Sequence, residues 1–394
     1  MVFDYIIVGG GSAGCVLANR LSQNPQNKVL LVEAGNKDDK QEIHIPAAFS
    51  KLFKGPADWN YETEAQSSLN NRKLYWPRAK VLGGCSSMNA MIYSRGNRKD
   101  YDEWESLGNP GWNFQSVLPF FKRSENHISG DSTHHGVGGP LQINHLRSPN
   151  PLSVAFVSGC EQSGIKRNDN FNGESQDGVG LYHVTQSSGK RCSAAVAYIK
   201  PILGRSNLTI YLNTHALKIV FEGSKATGLE ILKDGQNLTV KANKEIILST
   251  GAVGSPQLLM LSGIGPKAHL DSLGIPVVAD MPGVGQNLQD HLLLSLAYEC
   301  TQPVSLASAE SVLNIAKFLL MKKGMLTSNI GEAGAFIRTN PALERPDLQY
   351  IFGPVYYISH GFVQPKGHGF TIASCLLRPE SRGSNPTILA TKKM

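Results

Sequence analysis

The sequence predicts an α/β fold centred on a parallel sheet, and three observations predict it. Tyr5-Ile6-Ile7-Val8 is a short unbroken apolar run ended by glycines, the composition of a strand buried on both faces. GGGSAGCVLANRLSQ follows, a glycine turn leading into a helix with Val16, Leu17 and Leu21 as its apolar positions. KVLLVEAG then supplies a second buried strand, Lys28 to Glu33. Strand, glycine turn, helix and strand within ~30 residues form a βαβ unit, whose parallel strands belong in a sheet covered by helices.

The remaining elements follow in chain order. From about Asn36 to Arg72 the periodicity is weak, as in an excursion away from the sheet. Residues 112–190 are rich in Gly, Asn, Ser and His and predict loops and extended segments over another surface. A run of strands comes next: NLTIYLN (207–213), ALKIVFEG (216–223), ATGLEILKDGQNLTV (226–240) and EIILSTGA (245–252). Lys-Asp-Gly-Gln marks a hairpin turn within the third of these. STGAVGSPQLLMLSGIGP (249–266) reads as a further glycine turn, a helix started at Ser255-Pro256, and a Gly-x-Gly-Pro stop. Residues 292–394 mix short strands with one helical stretch near 309–321. No internal repeat or low-complexity tract interrupts the chain.

At 394 residues the chain is long enough for two domains with well-buried cores. With 41% hydrophobic and 18% charged residues it is globular in composition. No apolar run approaches the ~20 residues that a membrane span needs. The opening MVFDYIIVGG has no basic stretch, apolar core and small-residue cleavage site in series, so no secretory signal is expected. The six cysteines are scattered without a C-x-x-C pair, which argues against a zinc site and a disulfide framework and suits a reducing compartment. A cytoplasmic location is expected, peripheral at the inner membrane as its variant. The net charge of +7 is a solvated surface on the plain reading; no clustered basic stripe or nucleic-acid-binding module accompanies it, while weak attraction to acidic lipid headgroups is compatible with it.

Gly9, Gly11 and Gly14 form G-x-G-x-x-G between the first strand and its helix. The first glycine permits the tight turn, the second lets backbone N–H groups approach a pyrophosphate, and the third lets helix and strand pack closely. Gly11, Ser12 and Ala13 then open a helix whose N-terminus carries partial positive charge. Glu33 ends the second strand 19 residues after Gly14, where a carboxylate accepts hydrogen bonds from ribose hydroxyls and repels a 2′-phosphate. A glycine turn also occurs for purely structural reasons, but turn, helix and acidic residue together predict a dinucleotide site. These residues alone do not separate NAD from FAD.

RAKVLGGCSSMNAMIYSRGN (78–97) contains five consecutive small residues, Gly83 to Ser87. Structurally this is a flexible loop; functionally it exposes backbone N–H groups to phosphate or a ring edge, with Arg78 and Lys80 adding positive charge. The junction at 249–266 places another glycine turn at the carboxyl edge of the sheet.

Taken together these clusters resemble the signatures of the glucose-methanol-choline oxidoreductases, a family of FAD-dependent alcohol-oxidising flavoproteins. The 78–97 segment resembles the first signature, with Cys85 where Ser, Thr or Gly is usual. The 249–266 segment matches the second through Gly251, Ser255, Pro256, Ser262, Gly263 and Gly265. DWNYETEAQ (58–66) and PGVGQNLQDH (282–291) also match, and the resemblance runs from residue 4 to about 384. Within the family the chain is most similar to bacterial choline and alkanol dehydrogenases.

The resemblance implies a Rossmann-like FAD-binding domain over 1–290, discontinuous, with substrate-side insertions near 112–190. It implies a discontinuous α+β substrate-binding domain with an antiparallel sheet over 291–394, incomplete, the family's catalytic C-terminal region being absent. It implies FAD, with adenosine on Gly9 to Gly14, Glu33 and Ala34, and the flavin along Val81, Gly84, Asn89, Ala90, Met91 and Ile92. Leu217 is matched to the adenine-side contact. Met88 stands where some relatives attach flavin to a histidine, so FAD is expected to bind without a covalent link. Glu332 matches a carboxylate that faces the substrate in choline-type relatives; its plain reading is a hydrogen-bonded or solvated carboxylate. An alcohol substrate and a quinone or other electron acceptor are the implied partners.

Alcohol oxidation also needs a base for the hydroxyl proton, and a histidine suits that near neutral pH. The family's histidine sits in neighbourhoods resembling H-P-x-G-T-C-K-M-G and D-A-S-x-M-P, and neither occurs in this chain. No catalytic residue is therefore assigned. His291 is expected to be structural near the flavin, His134 and His135 to lie in a solvent-facing loop, and His360 and His368 to lie on the substrate side. The closing ESRGSNPTILATKKM follows the family to Gly383-Ser384, then begins a strand at Thr387-Ile388-Leu389-Ala390 and stops. A broken terminus is expected, with apolar flavin-side and sheet-edge surface left uncovered and with turnover lost.

Overall fold

The computed structural model describes residues 1–385. The strand expected over Thr387-Ile388-Leu389-Ala390 lies outside the described residues. The main elements, in chain order, are β1 (Val2–Val8), α1 (Ser12–Leu21), β2 (Val29–Val32), α2 (Arg98–Ser106), α3 (Phe114–Ser124), α4 (Pro151–Gln162), β3 (Gly178–Leu181), β4 (Leu208–Tyr211), β5 (His215–Glu222), β6 (Lys225–Lys233), β7 (Gln236–Leu248), α5 (Gly251–Leu261), β8 (Leu293–Cys300), α6 (Val312–Met321), β9 (Ala333–Ile337), β10 (Leu348–Gly353) and β11 (His368–Leu376).

The first sheet has the order β4-β2-β1-β7-β6-β5. Its first four strands run parallel, and β6 and β5 join antiparallel. Both faces are covered, as the unbroken apolar strands require. Ile7, Val29 and Leu31 point into a core completed by Cys15 and Ala18 of α1 and by Ala195, Tyr198 and Ile199. Phe3, Ile6, Val8, Leu30 and Val32 point to the opposite core with Ile219, Leu229, Ile231 and Leu258. Alternation along β1 therefore serves two cores at once.

Two strands expected from NLTV and EIIL are one. β7 runs unbroken for 13 residues, its first part antiparallel to β6 and its second part parallel to β1. Polar residues hide this continuity, because the middle of the strand reads Lys241-Ala242-Asn243-Lys244-Glu245 and carries no apolar run.

The second sheet is antiparallel, in the order β8-β11-β10-β9-β3. β3 comes from the 112–190 segment, so the sheet draws on chain from both sides of residue 290. α4 covers one face through Leu152, Phe156 and Val157 against Val179, Ala333, Ala335 and Phe352. The other face carries Ile351, Gly353, Thr371 and Ala373 towards a cavity described below.

The loops expected over 112–190 include two helices, α3 and α4. α3 contains Pro119 five positions after its start and α4 contains Gly159, residues whose helix-breaking character masks the pattern. Asn113 and Asn150 cap them by accepting from the N–H groups of Ser116 and Leu152. α5 begins at Gly251, a turn earlier than Ser255-Pro256, and carries Pro256 inside it. The excursion at 36–72 holds single helical turns and short paired segments. All six cysteines are free.

Candidate functional site

Two adjoining cavities form the candidate site, the first of them at the carboxyl ends of β1, β2 and β7. The first, ≈ 600 Å³, is lined by Gly9, Gly11, Ser12, Ala13, Glu33 and Ala34 together with the 248–258 junction. The second, ≈ 390 Å³, is lined by Asn89, Ala90 and Ile92, by the inner face of the second sheet, and by Phe49, Phe53, Tyr357 and His360. Arg78 and Cys85 border both, so the two form one elongated site.

Close packing of backbone builds the first cavity. A Cβ on Gly14 would lie 1.9 Å from the Gly9 carbonyl oxygen, so this residue packs helix on turn and does not line the cavity. A Cβ on Gly84 would lie 2.7 Å from Gly11 Cα, which brings the 78–97 loop directly onto the first turn. A Cβ on Gly11 would meet nothing nearer than the Ser249 carbonyl oxygen at 3.8 Å. The space beside Gly11 is thus open at the N-terminus of α1, where N–H groups and the helix dipole favour a phosphate. Ser249 closes the other side by donating to the Val8 and Gly9 carbonyls at 2.9 and 2.8 Å.

Glu33 is buried at the end of β2. Its Oε2 accepts from the Gly10 N–H and its Oε1 from the Gly35 N–H, both at 2.7 Å. Burial pushes its carboxyl up, and the Gly35 and Gly10 N–H groups and the Lys80 charge oppose this. Each oxygen keeps a lone pair for a hydroxyl. Carboxylate, helix N-terminus, Arg78 and an elongated cavity fit the adenosine diphosphate and ring portions of FAD, a fit that rests on the open space at Gly11.

The other predicted residues divide. Gly84 lines the first cavity, and Met88, Asn89, Ala90 and Ile92 the second. Val81 and Met91 are buried and line neither; Met91 adopts φ 56°, with its N–H donated to Asn89 Oδ1 at 3.0 Å. Leu217 also lines neither. The residues of that strand at the cavity are His215 and Ala216, because a β-bulge between Ala216 and Lys218 shifts the register at Leu217.

Glu332 does not face the second cavity. It is fully buried, its Oε2 accepting from the Asn150 N–H and Ser153 hydroxyl, both at 2.7 Å, and its Oε1 from the Ser328 hydroxyl at 2.5 Å. Asn150 caps α4, so the carboxylate sits at a helix N-terminus, where the dipole stabilises it. Burial raises its carboxyl, opposed by Ser328, Asn150 and Ser153.

Nor does the loop at 134–135 face solvent throughout. His135 is buried, with Nδ1 3.3 Å from Glu125 Oε1. His134 contacts Arg98 at 2.7 Å. His291 is exposed, its Nε2 3.1 Å from the Leu377 carbonyl, and His368 pairs with the Ser305 hydroxyl at 2.9 Å; neither lines a cavity. His360 does, at φ 59°, with its ring edge-on to Tyr75 at 5.1 Å. Burial and then the Lys54 charge depress its basicity. Among the described residues no cluster of His, Cys, Asp and Glu has metal-holding geometry.

Sequence reasoning left out the aromatic side of the site. Trp59 and Tyr61 line the first cavity, stacked at 5.9 Å, with Lys80 Nζ 4.7 Å from the Trp59 ring centroid. They lie within DWNYETEAQ, a segment that the sequence marks without assigning roles to its residues. Phe49, Phe53 and Tyr357 had no signal, since they come from two irregular segments that only the folded chain brings together.

A family model described as GMC oxidoreductase matches residues 3–293. An alcohol dehydrogenase [acceptor] of Pseudomonas putida is 43% identical, over 97% of this chain and 71% of its own length. An oxygen-dependent choline dehydrogenase of Sinorhizobium fredii is 44% identical, over 98% and 71%. Among solved structures, pyridoxine 4-oxidase from Mesorbium loti superposes with a TM-score of 0.87 at 35% identity, covering 97% of this chain and 72% of that one. A formate oxidase variant from Aspergillus oryzae superposes at 0.88 with 27% identity, covering 96% and 73%.

Proposed function

The chain belongs to the GMC oxidoreductase family, an FAD-dependent oxidoreductase lineage, and from that premise we propose that it acts on the CH–OH group of an uncharged primary alcohol. When bound, FAD supplies hydride acceptance at N5. Gly11, Ser12 and Ala13 hold the pyrophosphate, Glu33 takes the adenosine ribose, and Arg78 adds positive charge where the cavities meet. Asn89, Ala90 and Ile92 form the wall beside the ring. FAD binds without a covalent link, a reading supported by the Met88 thioether at the position where some relatives carry histidine. The division at 290/291 into FAD-binding and substrate-binding portions remains part of this proposal.

One observation carries the substrate class. The second cavity is lined by Phe49, Phe53, Tyr357, Leu293 and Ile351, with Arg78 at its border and, among the described residues, no carboxylate. Such a largely apolar surface favours an apolar alcohol. It offers a quaternary ammonium aromatic faces but no counter-charge. A quinone or another external carrier is the proposed outlet for the electrons, supported by the acceptor-dependent relative from Pseudomonas putida. A cytoplasmic site of action, peripheral to the inner membrane, completes the reading; no helix among the described residues is long and apolar enough to cross a membrane.

A second reading is that these 394 residues bind flavin without turnover. It is favoured by the histidines: among the described residues, His360 alone lines the second cavity, and its ring is packed against Tyr75, Phe53 and Phe362 instead of being oriented by a carboxylate or carbonyl. The experiment is anaerobic mixing of the FAD-loaded protein with a 1-alkanol and, separately, choline. Bleaching of the flavin absorbance by the alkanol supports the first reading, and flavin that stays oxidised with both supports the second. Faster bleaching by choline overturns the uncharged-substrate assignment, and a protein that retains no FAD overturns both readings.

A further inference from the structure

We propose that α6 is a membrane-docking helix, which lays its exposed apolar side chains into the headgroup region of an anionic lipid bilayer. A helix on a globular surface normally turns its apolar stripe inward. In α6 only Phe318 is buried, while Val312, Leu313, Ile315, Leu319, Leu320 and Met321 are exposed, Val312 and Leu320 each at 85%. Apolar side chains therefore face solvent around most of the helix, which marks an interaction surface.

Charge selects the occupant. From Ser311 to Gly331 the chain contains Lys317, Lys322 and Lys323 and no acidic residue. The neighbouring Glu310 is engaged by Lys51 at 2.6 Å, and among the described residues none of the three lysines has an ion-pair partner. Lys322 Nζ instead donates to the Leu319 carbonyl at the helix end, at 3.0 Å. An apolar helix whose lysines, in it and just after it, form no ion pair among the described residues complements a surface that is apolar beneath and anionic above, which is a bilayer rich in acidic phospholipid. Its 10 residues span ~15 Å, half the ~30 Å hydrocarbon core, so it lies on the membrane.

The helix also lies close to the site. Phe318 packs with Leu306, Ala309 and Leu326, and Ala47 packs against that cluster. Ala47 and Phe49 share one helical turn, and Phe49 lines the second cavity. The proposed membrane face is thus linked to the cavity wall through the Phe318 cluster and the turn that carries Ala47 and Phe49. The docking itself does not depend on flavin or turnover.

The test is flotation of the full 394-residue chain with phosphatidylcholine vesicles, with and without half phosphatidylglycerol. Wild-type protein is expected to float with the anionic vesicles and to be released by salt. The exposed double variant Leu313→Ser/Leu320→Ser should keep its circular dichroism and lose at least tenfold in partitioning. Lys317→Gln/Lys323→Gln should lose about fivefold per lysine, on anionic vesicles only. Wild-type protein that stays unbound, or either variant floating like wild type, overturns the proposal. A wild-type dimer that the leucine variant makes monomeric, without vesicle binding, assigns the face to a second copy of the chain and overturns it equally.

Discussion

The Gly10 N–H donates to Glu33 Oε2 at 2.7 Å, joining the first glycine turn to the end of the second strand. The same carboxylate receives the Gly35 N–H, so Glu33 is a cross-brace of the turn as well as the proposed ribose ligand. Glu33→Ala leaves two buried N–H groups without acceptors, at about 1–3 kcal/mol each. We expect a lower denaturation midpoint in urea even without cofactor, and at least tenfold weaker FAD binding by fluorescence titration. Glu33→Gln should recover part of the stability, since its amide carbonyl still accepts one of the two. Equal midpoints for wild type and Glu33→Ala would refute the brace.

Two glycines in one motif should fail differently. Gly14→Ala puts a methyl 1.9 Å from the Gly9 carbonyl, between helix and strand, and should give insoluble or strongly destabilised protein. Gly11 has φ −75° and free space ahead of its Cβ, so Gly11→Ala should fold with a thermal midpoint near wild type. Its methyl would occupy the proposed phosphate position, and retained flavin should fall at least tenfold. Parallel loss of folding in both variants would show that the space beside Gly11 is not a binding cradle.

Glu332 offers a check on the substrate side. Glu332→Ala strips the acceptor from the Asn150 N–H and from the Ser153 and Ser328 hydroxyls. The hydroxyls can turn to other acceptors but the N–H cannot, so a loss of about 2–4 kcal/mol in unfolding free energy is expected. FAD affinity of the folded fraction should not change, because the carboxylate faces α4. Unchanged stability with weakened alcohol binding would return Glu332 to the substrate wall.

The sequence made the parallel sheet and the glycine turn at its carboxyl end legible because those features are local. An unbroken apolar run, three spaced glycines and a carboxylate lie within 30-odd residues of one another, and each imposes its own backbone requirement. Glu332 and Leu217 were misplaced because their orientation is set elsewhere: Glu332 by the cap of α4, 182 residues earlier, and Leu217 by a bulge against β6. α3 and α4 were hidden by an internal proline and glycine, whose local preference the packing of Phe114, Leu118 and Val157 overrides. The aromatic wall combines Phe49 with Tyr357, at a centroid distance of 6.3 Å, and no pattern in either segment marks the pairing.

The last prediction concerns acid. His127, His135 and His183 are buried together, with His145 packed at the edge of His183. His127 Nδ1 accepts the Ser129 N–H, so its Nε2 donates to His183 Nδ1 at 3.2 Å, and His183 Nε2 is left without a partner. Burial first, then the neighbouring imidazoles, depress the basicity of His127 to about 4 and of His183 to about 3, from 6.5. Glu125 faces the same cluster with Arg95 and Tyr93. Burial pushes its carboxyl up, but the His135 hydrogen bond, the Arg95 charge, the Gly136 N–H and the Tyr93 hydroxyl together hold it at about 2, below its ordinary 4.5. For the two histidines the unfolded chain binds protons that the folded chain refuses, so their contribution is complete above pH 6.5 and is lost as pH falls through 4 and 3. Glu125 adds to the slope only below about pH 4.5, as its carboxylate is protonated in the unfolded chain. Between pH 6.5 and 4.5 these two histidines each contribute up to ~1.4 kcal/mol per pH unit; the depressed His134, His215 and His360 add to that slope, and the raised carboxyls of Glu33 and Glu332 oppose it. Urea unfolding from about pH 8 to 4 should give a midpoint that is flat above about pH 7 and falls below 6.5. His183→Phe removes one of these groups and should reduce the slope between about pH 6 and 5 by up to ~1.4 kcal/mol per pH unit. A slope in His183→Phe equal to that of wild type would mean that the His183 imidazole accepts a proton in the folded state, and that its Nε2 has an acceptor after all.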